Sequence, residues 1–353
     1  MTGTATPRTG VALIGTGFMA KTHADAYRHI ATVTVTHVVD VQLAPARELA
    51  STFGAVASTD LLDALRSPDV DVVDISVPTL AHASIAEAAF AAGKHVIVEK
   101  PIALDLAAAD RMIAAANDAD RFLMVAHVVR FWPAYEHIGE VLHGGSLGTP
   151  LHARVFRLSS PPRWAPWLLD PTQTGGAAID LVIHDIDILN SYFGEPSVLG
   201  GWGGRGSRGR LTHVCARLDY EGFTAMVEAS MSMPSSYPFT AGIVVHCEHG
   251  SIEYRFRAGG EGIEAGAPES RLSVYQDSSA NTHVALETRN PYVSELDYFI
   301  RCVEENRPPR RVTAADARLA LATALAINER VEQKTSPEPP ARRHEGTGST
   351  LEE

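Results

Sequence analysis

Cysteine is scarce: three residues in 353, at Cys215, Cys247 and Cys302. They form no CxxC pair and no zinc-finger spacing, so neither a disulfide framework nor a metal site is expected from them. Three small buried hydrophobic side chains in a reducing compartment are expected instead. Long apolar runs are also missing, and nothing approaches the roughly 20 residues a membrane helix needs. Positive charge is short, 30 Lys+Arg against 42 Asp+Glu, for a net charge of −12. A chain of that sign is a poor neutraliser of phosphates, so nucleic acid is not an expected partner. The opening MTGTATPRTG has no charged-then-apolar leader layout and no twin arginine, and a soluble cytoplasmic protein is expected.

What is present is ordinary globular material, 45% hydrophobic and 20% charged, in a chain longer than one core usually supports. Val/Ile-rich runs at 11–14, 33–39, 72–77, 95–98 and 122–125 alternate with Ala-rich amphipathic stretches at 19–30, 43–53, 59–66, 81–92 and 105–118. Continuous apolar runs suit parallel strands buried on both faces, and the alternation predicts a doubly wound α/β domain. Thr59 reads as the N-cap of the third helix and Gly93 as the stop of the fourth. The pattern then changes. A helix at 133–143 and a strand at 151–158 precede a Pro- and Trp-rich loop at 159–176 and one helix at 177–193. Strands follow at 211–220, 223–233, 241–247, 251–256, 271–276 and 282–287, and helices at 292–305 and 314–332. Strands without intervening helices predict a mainly antiparallel sheet. The expected organisation is a Rossmann domain over 8–130, then an α+β domain with a large, mostly antiparallel open sheet over 131–334. A disordered tail is expected over 335–353, which is rich in proline and charge and has no aromatic residue.

Gly15-Thr16-Gly17-Phe18-Met19-Ala20 reads GxGxxA directly after the first strand and opens a helix. Backbone N–H groups and the positive helix end at such a turn hold a pyrophosphate. The second strand ends in Asp40, where an acid meets the ribose hydroxyls of NAD. A carboxylate there repels a 2′-phosphate by roughly 1–4 kcal/mol at 4 Å. No Lys or Arg follows within Val41-Gln42-Leu43, so NAD is expected over NADP.

Two further segments carry a family resemblance. Ala91-Ala92-Gly93-Lys94-His95-Val96-Ile97-Val98-Glu99-Lys100-Pro101 and Gly175-Gly176-Ala177-Ala178-Ile179-Asp180-Leu181-Val182-Ile183-His184-Asp185-Ile186-Asp187 resemble the AGKHVxxEKP block and the GGxxxDxxxHxxD helix of the Gfo/Idh/MocA oxidoreductases. These are relatives of glucose–fructose oxidoreductase and inositol dehydrogenase. The resemblance implies a Rossmann domain followed by an open sheet that often buries its face in a homodimer or homotetramer. It also implies hydride transfer between nicotinamide and a secondary alcohol of a sugar, sugar derivative or cyclitol. Lys100, Asp180 and His184 match the catalytic positions. Pro78, His82, Glu99 and Lys100 join Gly15, Gly17, Phe18, Met19 and Asp40 as expected cofactor contacts. The frequent TPNxxH stretch is here Val77-Pro78-Thr79-Leu80-Ala81-His82, and NRRFxP is Val128-Val129-Arg130-Phe131-Trp132-Pro133. His127 and Arg130, with Arg163 and Trp164, flank the site and are expected to meet the substrate. A relative that retains NAD for hydrolysis or elimination, or one that only senses a ligand, is the alternative.

Spacing adds chemistry. Asp180, His184 and Asp187 fall at i, i+4 and i+7 of one helix among Ile and Val neighbours. Such a titratable stripe is costly unless its groups find partners or a task. His184 suits a general base near neutral pH, Lys100 suits stabilisation of a developing alkoxide, and Asp187 reads as structural. His184-Asp185 alone lacks the further ligands of a metal hydrolase, and no metal is expected.

Overall fold

The computed structural model describes residues 8–161, 171–206, 211–259, 268–276 and 282–334. Arg163, Trp164, Trp167 and the expected tail lie outside the described residues. The chain opens with β1 (Thr9–Ile14), α1 (Phe18–Tyr27), β2 (Val33–Val39), α2 (Leu43–Ser51), β3 (Val56–Ser58), α3 (Leu61–Leu65) and β4 (Val72–Ile75). It continues with α4 (His82–Ala91), β5 (His95–Glu99), α5 (Leu106–Asp118) and β6 (Leu123–Ala126). The strands make one parallel sheet in the order β3-β2-β1-β4-β5-β6. Strand order reverses between β1 and β4, so the ligand crevice lies at their carboxyl ends. Every residue of β1 and β4 is buried, which is why both read as mainly apolar runs, with Asp74 the exception in β4.

One local expectation is corrected, and one strand absent from the sequence pattern is added. Asp60, not Thr59, caps α3, its Oδ1 accepting the Leu62 N–H at 2.9 Å. Asp60 sits directly before the first helical residue, where an extended backbone brings a short carboxylate onto that N–H. The edge strand β3 is three residues long and partly exposed, too short to show a period.

The second half contributes α6 (Pro133–His143), β7 (Pro150–Leu158), α7 (Pro171–Thr174), α8 (Ile183–Phe193), β8 (Ser197–Arg205), β9 (Leu211–Tyr220) and β10 (Phe223–Ser230). β11 (Phe239–Cys247), β12 (Gly250–Ala258), β13 (Glu269–Gln276), β14 (Thr282–Val284), α9 (Pro291–Glu304) and α10 (Ala314–Lys334) follow. The sheet runs β14-β13-β12-β11-β7-β10-β9-β8. It is antiparallel except where β7 and β10 pair in parallel. β8 is missed by pattern because SVLGGWGGR carries so little side chain. Those glycines let α10 close on the strand: a Cβ at Gly203 would meet the His213 carbonyl at 2.4 Å and Val331 Cγ1 at 3.0 Å.

One face of this sheet is core. Val214, Ala216, Val227 and Ile243 are buried there with Leu321, Ala324 and Ile327 of α10. α9 returns to the first sheet, where Leu296, Phe299 and Ile300 pack in one cluster with Val11, Leu13 and Val35. The sequence boundary near residue 130 is therefore crossed in space by the C-terminal helices.

Candidate active site

The glycine loop is shaped by close approach. Gly15 has φ +104°, and a Cβ there would meet the Ser76 carbonyl at 2.4 Å. A Cβ on Gly17 would meet nothing within 4 Å. Gly17 is the N-cap of α1 without a side-chain cap, and the first turn holds no acid. The Phe18 and Met19 N–H groups stand in that first turn, where a helix supplies no intrahelical acceptor. Open space in front of Gly17, at the positive end of α1, fits a dinucleotide pyrophosphate. Ala20 is fully buried against the sheet. Asp40 leaves β2 beside the loop, its Oδ2 accepting from Thr16 Oγ1 at 2.6 Å and its Oδ1 from the Gln42 N–H at 2.9 Å.

The strand ends at β5 and β6 face the second half of the chain. Lys100 Nζ donates to the Asp180 carbonyl at 2.6 Å and to Asp180 Oδ1 at 3.2 Å, with the two side chains 16% and 14% exposed. Asp180 sits in a wide π-type turn, Ala177–Leu181, closed by the Val182 N–H on the Ala177 carbonyl at 3.0 Å. The expected single helix over 177–193 is therefore two pieces, with α8 beginning only at Ile183. His184 follows in the first turn of α8, and its buried Nδ1 has no hydrogen-bond partner. Burial holds this imidazole well below the usual histidine range, and the charges of Lys100, Arg157 and His127 add to the effect. His184 is thus a neutral imidazole beside an ammonium, a group able to take a proton.

The other expected contact residues sit among protein groups. Arg130 is held within the protein: Nε and Nη2 bind the two oxygens of Asp187 at 2.6 Å each, and Nη1 binds the Arg311 carbonyl at 3.0 Å. A bidentate pair of this kind fixes the guanidinium in place. Asp187 accordingly has the structural place expected of it. His127 is buried with neither ring nitrogen hydrogen-bonded, its Nδ1 lying 3.6 Å from Asp187 Oδ2. His82 is a brace: Nδ1 faces the Pro101 carbonyl and Nε2 the Val77 carbonyl, each at 3.0 Å. It ties the loop after β4, which includes Pro78 and the buried Thr79, to the loop after β5. Glu99 also turns inward, its Oε1 3.1 Å from His23 Nε2 and its Oε2 accepting the Lys100 N–H at 3.1 Å.

That inward turn exposes residues the sequence reading missed. His23 of α1 is fully buried between Glu99 and Asp74, with Nδ1 2.8 Å from Asp74 Oδ2. Asp74 also accepts from Tyr27 Oη and Ser76 Oγ, each at 3.0 Å. The cluster keys the phosphate-binding helix to the backbone of Lys100. Its signal was an acid inside an apolar strand, VVDI. Glu295 of α9 is buried beside it with both oxygens unpartnered; burial raises its carboxyl well above the usual range. Arg157 of β7 grips Asp185 of α8 at 2.7 and 2.9 Å, fixing the helix that carries His184.

Known proteins place this architecture. Residues 9–127 match the oxidoreductase family with an NAD-binding Rossmann fold, and residues 135–253 match the GFO/IDH/MocA C-terminal domain. The chain is 28% identical over 276 residues to a 1,5-anhydro-D-fructose reductase of Ensifer adhaerens, covering 76% of this chain and 80% of that one. It is 26% identical over 349 residues to a myo-inositol 2-dehydrogenase of Thermotoga maritima, covering 92% and 97%. Among solved structures, a UDP-N-acetylglucosamine 3-dehydrogenase from Acidithiobacillus ferrooxidans superposes with a TM-score of 0.76 at 24% identity, covering 93% of this chain and 99% of that one. A 3-ketoreductase from Actinomadura kijaniata, solved with NADP and TDP-benzene, superposes at 0.80 with 19% identity, covering 92% and 98%. A dinucleotide loop, a lysine at the end of β5 and a facing Asp–His turn on an open-sheet domain agree with those matches: the chain belongs to the GFO/IDH/MocA oxidoreductase family.

Proposed function

We propose that this chain is an NAD-dependent dehydrogenase that moves hydride between nicotinamide and a secondary alcohol of a sugar, sugar derivative or cyclitol. The observation that carries the reading is the Lys100–Asp180 pair beside a neutral His184, at the strand ends next to the glycine loop. Bound NAD supplies the hydride acceptor. Gly15, Gly17, Phe18 and Met19 hold its phosphates, and Asp40 accepts from ribose hydroxyls, which favours NAD over NADP. His184 takes the alcohol proton as general base. The Lys100 ammonium stabilises the oxygen as negative charge develops, and Asp180 holds that ammonium in place. The myo-inositol and anhydrofructose enzymes among its relatives support polyol-type substrates. We also propose a homodimer or homotetramer joined through the uncovered face of the eight-stranded sheet.

The test is a panel of sugars, sugar derivatives and cyclitols with NAD, read by NADH absorbance. Turnover on at least one polyol, lost in Lys100→Ala, is expected. Turnover of long-chain alkanols alone would overturn the substrate class, and binding of NAD without turnover of any alcohol would favour a ligand sensor.

A further inference from the structure

We propose that His213, Cys215 and Glu228 form a binding site for a zinc-type divalent cation on the outer face of the eight-stranded sheet. β9 places His213 and Cys215 two residues apart, so both point to the face opposite Val214 and Ala216, which are fully buried in the core. Antiparallel pairing sets Glu228 of β10 directly across from Cys215. One ligand atom from each of the three residues lies within 4.8 Å of the others.

The spacing matches the ion. Zn–S and Zn–N bonds of about 2.3 and 2.0–2.1 Å at a tetrahedral angle place sulfur and nitrogen about 3.6 Å apart. His213 Nε2 and Cys215 Sγ stand 3.5 Å apart. Imidazole, thiolate and carboxylate are a donor set zinc takes, and their summed charge balances the ion. Glu228 accepts from Arg154 Nη2 at 3.1 Å, and that arginine side chain is 55% exposed, free to swing outward when a cation arrives. The ligand form of cysteine is the thiolate, so binding releases the Cys215 thiol proton. Three protein ligands leave one tetrahedral position for water. The site is separate from Lys100 and His184, and its direct consequence is to clamp β9 to β10.

The experiment uses the full chain, reduced and freed of metal by chelation, titrated with Co²⁺. One equivalent should produce a thiolate-to-cobalt charge-transfer band and visible bands of tetrahedral strength, both removed by Zn²⁺. Cys215→Ser should abolish the charge-transfer band. His213→Gln should weaken affinity at least tenfold, and Cys247→Ser should leave the spectrum unchanged. Circular dichroism and NAD binding establish that each variant is folded. Absence of the charge-transfer band in the unmodified chain, or its survival in Cys215→Ser, overturns the site. Neither outcome bears on the dehydrogenase reading, because the Co²⁺ spectrum requires no turnover.

Discussion

In the proposed reaction His184 and Lys100 work as a pair: burial, helped by the ammonium charge, keeps the imidazole neutral, and the same ammonium would meet the developing alkoxide. General-base assistance contributes typically 10²–10⁴-fold. His184→Ala and Lys100→Ala should each lower kcat by about that factor, with NAD affinity nearly kept, as measured by turnover and by NADH fluorescence titration. Because the His184 pKa is held well below 6.5, the rise of kcat/KM for oxidation with pH should be complete before neutrality. That limb should move or vanish in His184→Ala; near-normal oxidation with an unchanged profile would assign the base elsewhere, first to Lys100. In the proposed reading, cofactor choice also rests on a single residue. The Asp40 carboxylate is held by the Thr16 hydroxyl and the Gln42 N–H, so it cannot turn away from an incoming 2′-phosphate without losing both bonds. Asp40→Ala should narrow the ratio of NADP to NAD dissociation constants, and tighter binding of NADP by the unmodified chain would refute the assignment. The placement of Asp40, Lys100, Asp180 and His184 was legible because each occupies a fixed register beside a glycine turn or a strand end; their roles remain those proposed above. The Arg130–Asp187 pair was not legible, because no local pattern announces a bidentate partner 57 residues away.

At the scale of elements, the strands of the first sheet were readable because burial on both faces leaves a continuous apolar run. β8 was not readable, since its glycines are there for the approach of α10 rather than for strand propensity. The π-type turn at Ala177–Leu181 was hidden for a different reason: widening the ladder by one residue changes no side chain. It matters because Asp180 meets Lys100 from that turn, while His184 and Asp187 project from α8. α8 itself is pinned by the Arg157–Asp185 pair, with Asp185 fully buried. Removing one member of a buried pair strands the other charge and typically costs 3–5 kcal/mol. Arg157→Ala should therefore lose about that much stability in urea. Replacing both members with apolar residues of similar volume should recover most of it, because no unpaired charge remains. A single-variant loss under about 1 kcal/mol would mean that the pair does not anchor the helix.

Across the whole molecule, two responses follow from what is buried and what is not. Burial comes first among the causes that keep His82, His95, His127 and His184 below the usual histidine range, His95 at about 4. The unfolded chain binds these protons near pH 6.5 and the folded chain does not, so stability is full above that pH and falls as pH drops below it. For His95 the loss levels off near pH 4. His23 runs the other way, raised by its two carboxylates against the cost of burial, so its contribution is lost only as pH rises through its elevated pKa. Urea midpoints should decline on acidification below about pH 6.5, and His95→Gln should flatten part of that slope. The second response is assembly. On the sheet face opposite the core, Phe156, Met226 and Val244 remain half-buried among the described residues, and Trp202 is 51% exposed on the edge strand β8. Such a surface gains by burial, at roughly 25 cal/mol per Å², and a stable partner needs about 800 Å² from each side. A second copy presents the same alternation of apolar and charged residues, so a two-fold axis through the sheet would bring those apolar side chains together. Light scattering at micromolar concentration should give a dimer or tetramer mass. Met226→Glu should shift it toward the monomer with circular dichroism unchanged, since the side chain faces away from the core. A monomer mass for the unmodified chain at that concentration would contradict the assembly outright, leaving the exposed face to be explained by some other partner.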